Sequence, residues 1–361
     1  MNRWRIAVGA AVLVPTLLLA WLNGAPVTSH DGTISVPPGT AAGAIVRRLA
    51  EDGQVRSGRW VRFLLRATGA GRRLRVGLYP VAKGDSAWTV VRSLARGKSL
   101  TVRVTVPEGW PATRIGERLE AQGVCGNDAF LAAVSSAAAE GFLFPDTYEF
   151  DPFISAERAR DAMTAHFDRS WREAVEASSE SLRGVELSTV SARLDRVRLA
   201  DGRRWSARDV VTLASIVERE GGRPAERAMI AAVYQNRLKK RMHLDADPTV
   251  QYALGQWKDR LLYRDLEVDS PYNTYKVYGL PPGPIGNPGL EAIRAVLTPA
   301  KSPALYFVAD DAGGHVFSVS FSEHLRNVRA HRRRRSSSRP EAGTPESKTP
   351  SPGPRRQTPA P

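Results

Sequence analysis

Val36-Pro37-Pro38-Gly39 recurs as Val106-Pro107-Glu108-Gly109, and the residues behind each copy keep step: Ile45, Leu49 and Gly53 answer to Ile115, Leu119 and Gly123, each pair 70 positions apart. Each copy is a short extended run, a turn at Pro and Gly, then apolar residues spaced by four, the pattern of strand, turn and helix. Two small β-then-α units put the chain in the α+β class rather than in a long doubly wound sheet. Between the copies, Leu74, Val76 and Leu78 alternate over residues 73–81 as in a strand, and residues 88–94 read as a helix. The spacing puts a domain boundary near Gly97.

Further along, Ala159, Met163, Phe167 and Trp171 step by four and predict an amphipathic helix over residues 156–175. Ser206 and Asp209 form a capping-box pair ahead of residues 210–217, which are apolar nearly all round and so predict a buried helix. It stops at Gly221-Gly222. Pro224 opens another helix, with Ile230, Val233, Tyr234 and Leu238 on one face. Asp247-Pro248 and Asn287-Pro288 each read as an N-cap and a first-turn proline, for helices ending at Gly255 and covering residues 290–297. Residues 305–309 and 316–320 flank the turn Asp310-Asp311-Ala312-Gly313-Gly314 and predict a hairpin. Residues 178–205 are polar and irregular and carry no assignable element.

At 361 residues, 42% hydrophobic and 25% charged, the chain can bury one core and has length for two. Arg3 and Arg5 precede an apolar run over residues 6–22, just long enough to span a bilayer at about 17–25 residues. Asn23 replaces the small residue that a cleavage site needs. An uncleaved anchor over residues 1–25 is therefore expected, with the N-terminus cytoplasmic and the rest of the chain outside the inner membrane. Cys125 is the only cysteine, which excludes an internal disulfide, and the six histidines show no ligand spacing, so neither metal nor cofactor is expected. The net charge of +15 suits a polyanionic partner. From His331 onward eight Lys and Arg stand against two Glu in a stretch with no apolar pattern, so residues 331–361 are expected to be a disordered basic tail. Nucleic acid is argued against by the export segment and by the lack of a stacking or groove-reading motif.

One residue stands out chemically. Glu218 follows the buried helix's apolar run, on the line through Val211 and Ala214, where burial and the negative helix end would both raise its pKa. A carboxyl that keeps its proton near neutrality is what a glycosidic general acid needs, although a solvated helix-end glutamate fits the position as well. Asp247 doubles as a capping residue and Asp245 as a loop residue. Tyr272, Asn273 and Tyr275 sit in a proline-rich loop, residues 272–284, whose aromatic faces and polar groups suit sugar rings and serve plain packing equally.

Read in order, ASIVERE (214–220), NRL (236–238), DPTVQYALG (247–255), SPYNTY (270–275) and GLPPGPIGNPG (279–289) resemble the MltG, or YceG-like, endolytic murein transglycosylases. VPEGW (106–110), EGFLFPDTYEF (140–150), YFVAD (306–310) and GGHVFS (313–318) extend the resemblance almost from the anchor to Arg329. It implies an anchor, a LysM-like module over residues 26–97 and a catalytic domain over residues 98–330. It places the family's catalytic glutamate on Glu218 and raises Asn236, Asp247, Thr249 and Tyr252 as cleft or support residues. The implied substrate is the glycan strand of peptidoglycan, cut at the MurNAc–GlcNAc bond with 1,6-anhydro ends, and the implied partners are penicillin-binding glycan synthases. Asp245 and Ala246 depart from the Gln and Ser or Thr usual before DPT, which touches substrate contacts there. A hydrolase using Asp245 or Asp247, and a non-catalytic wall-binding scaffold, are the competing expectations.

Overall fold

The computed structural model describes residues 16–18, 20, 21, 23, 31–72, 74–97, 99–178, 196–198, 204–220, 223–258, 260–310 and 312–337. Most of the anchor expected over residues 1–25, most of residues 178–205 and the tail from 338 lie outside them. Among the described residues no helix is long and apolar enough to cross a membrane.

The repeat is a βααβ unit made twice. In the first, β1 (Gly32–Val36) is followed by α1 (Ala42–Glu51), α2 (Gly58–Ala67) and β2 (Gly77–Val81), with β2 antiparallel to β1 from Gly32↔Val81 to Val36↔Gly77. α3 (Ala87–Arg96) closes the unit and stops at Gly97, whose φ of 66° is left-handed. In the second, β3 (Val102–Thr105), α4 (Ala112–Ala121), α5 (Asn127–Ser136) and β4 (Thr147–Phe150) repeat the order, again with an antiparallel strand pair. Both ends of α4 lie 70 residues beyond those of α1, and β4 begins 70 beyond β2. The tyrosine of each closing strand donates to the carbonyl four residues back, Tyr79 to Arg75 and Tyr148 to Phe144. Residues 34–94 hold one core cluster to themselves, and residues 104–163 a second.

One strand face is corrected. The alternation of Leu74, Val76 and Leu78 predicts that the even positions face inward; instead Tyr79 and Val81 are buried while Val76 is 41% exposed. A shift of one residue in a strand exchanges its faces, and the burial of the large Tyr79 ring, with its hydroxyl bonded, outweighs that of Val76.

The third core is built around α7 (Ala207–Glu220), buried continuously from Val210 to Val217 as its composition predicts. Its start is the expected capping box: Ser206 Oγ accepts from the Asp209 N–H at 3.1 Å, and Asp209 accepts from the Ser206 N–H at 2.9 Å. α6 (Ala156–Ala177), α8 (Arg227–Lys239) and α10 (Leu290–Leu297) pack around it. α9 (Asp247–Leu254) lies against α7, and the hairpin of β7 (Tyr306–Ala309) and β8 (His315–Ser318) is followed by α11 (Phe321–Ser337). A short pair, β5 (Arg196–Arg198) and β6 (Arg204–Ser206), leads into α7.

Three local expectations change. Asp247 does not cap: the N-cap of α9 is Ala246, and the Asp247 carboxylate turns to Tyr275. Asn287 does not cap α10, whose N-cap is Gly289; fully buried, it joins the second unit to the third core, accepting from the Leu143 N–H at 2.8 Å and donating to Trp110 O and Glu140. The tail does not begin at His331, because α11 carries helix on to Ser337.

Candidate active site

Glu218 and Glu220 both belong to the last turn of α7, two positions and therefore about 200° apart around the helix. They face different neighbours. The Glu218 side chain is 5% exposed and both its oxygens are engaged, one by the guanidinium of Arg227 and the other by the Gly289 N–H at 3.1 Å. Arg227 also reaches Glu108, in the turn after β3, at 3.2 Å. Burial and the neighbouring charge of Glu108 raise the Glu218 pKa, with Arg227 and the Gly289 N–H opposing them. Gly109 is in the left-handed region, φ 74°, and a Cβ there would stand 3.0 Å from Arg219 and 3.3 Å from Glu218. This flank is a seam between the second unit and α7, with the Glu108 side chain on it 47% exposed.

The other flank is open. A pocket of about 330 Å³ is lined by Glu220, Tyr234, Arg237, Asp245, Asp247, Tyr275 and Tyr306 among others; Glu218 is not in its wall. Burial pushes the Glu220 carboxyl up to about 7; the charge of Asp247 adds to the rise, while the Tyr234 hydroxyl, donating at 3.0 Å, and Arg237 oppose it. Asp247 accepts from the Tyr275 hydroxyl at 2.6 Å. Asp245 sits at φ 51° and is held by Arg237 at 2.9 Å, while the same guanidinium donates to the carbonyls of Leu305, His243 and Leu244. Arg237 thereby fixes the pocket floor, and its residual positive charge faces Tyr306, 5.3 Å from the ring centre.

Of the residues singled out from sequence, the structure gathers Asp245, Asp247 and Tyr275 here. Thr249 and Asn273 are fully buried: Thr249 bonds Ala246 O and Thr274, and Asn273 donates to Leu266 O and Val268 O, both at 2.8 Å. Asn236 donates to Ser302 O at 2.7 Å and Ala304 O at 3.0 Å, tying α8 to the segment before β7. Tyr252 and Tyr272 pair with ring centres 4.9 Å apart against the third core, outside the pocket wall. Glu218, on the line through Val211 and Ala214, sits where the second unit meets α7, paired with Arg227 and outside the wall of this pocket, with its pKa raised by burial as expected. Glu220 and Tyr234 line the pocket without having been singled out as site residues from sequence. The available signal was the second glutamate of ASIVERE, which continues the other flank of the same helix.

A further buried carboxyl, Glu140, is also pushed up to about 7 by burial, but it accepts from the Ala112 N–H and Asn287 and faces no cleft. Among the described residues no group of three or more His, Cys, Asp or Glu is placed to hold a metal ion.

An α+β chain carrying one proton-retaining carboxyl in the wall of a polar, tyrosine-lined pocket has the equipment of a general acid–base enzyme. The chain belongs to the YceG-like family, whose model matches residues 34–330. An endolytic murein transglycosylase of Bacillus subtilis is 32% identical over 350 residues, 88% of this chain and 89% of that protein. One from Streptococcus pneumoniae is 28% identical, covering 83% of this chain and 58% of the longer relative. In structure, a yceG-like protein of Listeria monocytogenes superposes with a TM-score of 0.50 at 28% identity, over 83% of this chain and all of that one.

Proposed function

We propose that this chain is a lytic transglycosylase that cuts the β-1,4 bond between MurNAc and GlcNAc within peptidoglycan strands, with Glu220 as the single acid and base. The observation that carries the reading is the Glu220 carboxyl, held near 7 in the pocket wall beside Asp247 and Tyr275. The names of the curated relatives support the substrate and the reaction class.

Glu220 starts protonated and gives its proton to the glycosidic oxygen as the bond to C1 breaks. The resulting carboxylate then takes the proton of the MurNAc C6 hydroxyl, whose oxygen attacks C1 and closes the 1,6-anhydro ring. No water is consumed, and the carboxyl is protonated again at the end. One carboxyl suffices because the nucleophile belongs to the substrate and only has to be held near C1. The charge of Asp247 keeps the proton on Glu220 beforehand and favours the positive charge that develops at C1.

Hydrolysis is the second reading, favoured by the presence of Asp245 and Asp247 in the same pocket. Asp247 is held by Tyr275 and Asp245 by Arg237, which argues against either as the base that activates water. Digestion of uncrosslinked strands in ¹⁸O-water separates the readings. Fragments lighter by one water and free of label are expected; labelled reducing MurNAc ends would establish hydrolysis.

Residues 1–25, in this proposal, hold the protein in the cytoplasmic membrane with the rest outside, residues 26–97 form a LysM-like module, and residues 98–330 make up the catalytic domain. Arg3, Arg5 and the apolar run support the first assignment, and the βααβ order of residues 32–81 supports the second. Cutting close to the membrane places the enzyme beside penicillin-binding glycan synthases, the protein partners this reading entails.

A further inference from the structure

Residues 53–84 contain seven arginines and one lysine and no acidic residue. The net charge of residues 1–330 is +9, so this one stretch accounts for nearly all of it. On α2 the charges are ordered: Arg59, Arg62, Phe63 and Arg66 follow i, i+3, i+4, i+7 and form the outer face, while Val61, Leu64 and Leu65 are buried. Phe63 is 57% exposed and stacks on Trp60 at 5.3 Å. Beside this face a groove of about 490 Å³ has Val46 and Leu65 in its floor and Arg62, Arg66 and Arg72 around it. None of these three arginines makes an ion pair with an acidic residue among the described residues.

The end of the apolar segment is fastened to the same unit. Asn23 Oδ1 accepts from the Trp88 N–H at 2.9 Å, and the Arg56 guanidinium lies 5.5 Å from the centre of the Trp21 ring. Trp21 and Trp88 are exposed. We propose that the first βααβ unit docks on the membrane itself, with the Arg59–Arg62–Phe63–Arg66 face of α2 against anionic lipid headgroups and a headgroup phosphate in the arginine-rimmed groove. The inference rests on the membrane reading of residues 1–25. A segment that leaves the bilayer at Trp21 and is bonded to the unit at once leaves it no room to stand away from the surface. Exposed aromatics interleaved with unpaired arginines are the composition that partitions into the headgroup layer, with attraction added by lipid charge. Unit and anchor together would then hold the catalytic domain at a set height above the bilayer.

The test uses the full chain in vesicles, with a nitroxide at Phe63→Cys in a Cys125→Ser background, read by collision with oxygen and with a water-soluble nickel chelate. In vesicles of phosphatidylcholine with phosphatidylglycerol, nickel collisions should fall severalfold relative to phosphatidylcholine alone, and high salt should reverse the fall. Arg59→Gln, Arg62→Gln and Arg66→Gln together should weaken the partition on the order of 10²-fold, with cleavage of soluble strands unchanged. Equal nickel access in both vesicles would overturn the proposal, as would protection that arises only on adding peptidoglycan strands. Loss of flotation in alkaline carbonate with protection by anionic vesicles retained would remove the anchor alone and leave the docking face standing.

Discussion

The two flanks of the last turn of α7 carry the same residue type to different ends. On one, Glu218 meets Arg227, Gly289 and, through Arg227, Glu108, and both Glu218 oxygens are engaged. On the other, Glu220 meets one tyrosine hydroxyl, a nearby carboxylate and an open pocket. Burial raises the pKa on both flanks, so a raised pKa does not by itself mark a catalyst. Each carboxyl has a like charge near it, Glu108 for Glu218 and Asp247 for Glu220; what separates the flanks is the cation bonded to Glu218 and the pocket in front of Glu220.

The largest expected effect tests the open flank. Glu220→Gln should lower cleavage by about 10²–10⁴-fold, since the amide keeps size and one hydrogen bond but has no proton to transfer. Steady-state assays on uncrosslinked strands measure this, and activity within threefold of the parent would mean that the open flank is not where chemistry occurs.

The clamped seam should answer in stability instead. Beside it Glu140 is bonded to Ala112 and Asn287, and its folded pKa of about 7 stands above the ordinary 4.5, so the native state holds more protons than the unfolded chain between these values. Stability is therefore full below about 4.5 and declines as pH rises through about 7, by about 3 kcal/mol at most from this group. Glu220 contributes with the same sign. Thermal scans over about pH 4 to 8 should show a shallower decline for Glu140→Gln, and a slope unchanged by that substitution would refute the assignment.

Glu218→Gln breaks one partner of a buried ion pair while Glu108 still faces Arg227. A loss of about 1–3 kcal/mol in denaturant unfolding is expected, with turnover of the remaining folded enzyme within about tenfold of the parent. The reverse outcome, intact stability and abolished turnover, would exchange the roles of the two flanks.

The smallest effect is a displacement of a pH profile. As the acid, Glu220 must be protonated, so kcat/KM should fall as pH rises through about 7. Asp247→Asn removes the charge that adds to the rise and should move that limb to lower pH by up to about one unit. Tyr234→Phe removes a hydrogen bond to the carboxylate and should move it to higher pH. A limb that ignores both substitutions would belong to another group.

The two βααβ units show how far sequence reading reaches. Their repeat, turn glycines and first helices stand in the residue order at a fixed offset, because a strand, a turn and an amphipathic helix are each specified by neighbours within a few positions. The divergence of the copies was equally visible, Pro38 in one and Glu108 in the other, but not its consequence. A Cβ on Gly39 would meet nothing within 4 Å, whereas one on Gly109 would press on Arg219 and Glu218. The first turn is free and the second is docked on α7.

What the amino-acid order determined alone was local: the α+β class, the capping box of Ser206 and Asp209, the buried run from Val210 to Val217, the hairpin around residues 310–314 and, through the ordered motifs, the family. Which glutamate of ASIVERE faces a pocket was decided only by tertiary structure. So was the diversion of Asp247 from helix cap to the partner of Tyr275, and of Asn287 from cap to the joint between two cores. Each of these side chains had a local use available. Each was drawn elsewhere because a buried polar group takes the partner that folding brings to it, and those partners lie 28 residues away for Asp247 and 144 for Asn287.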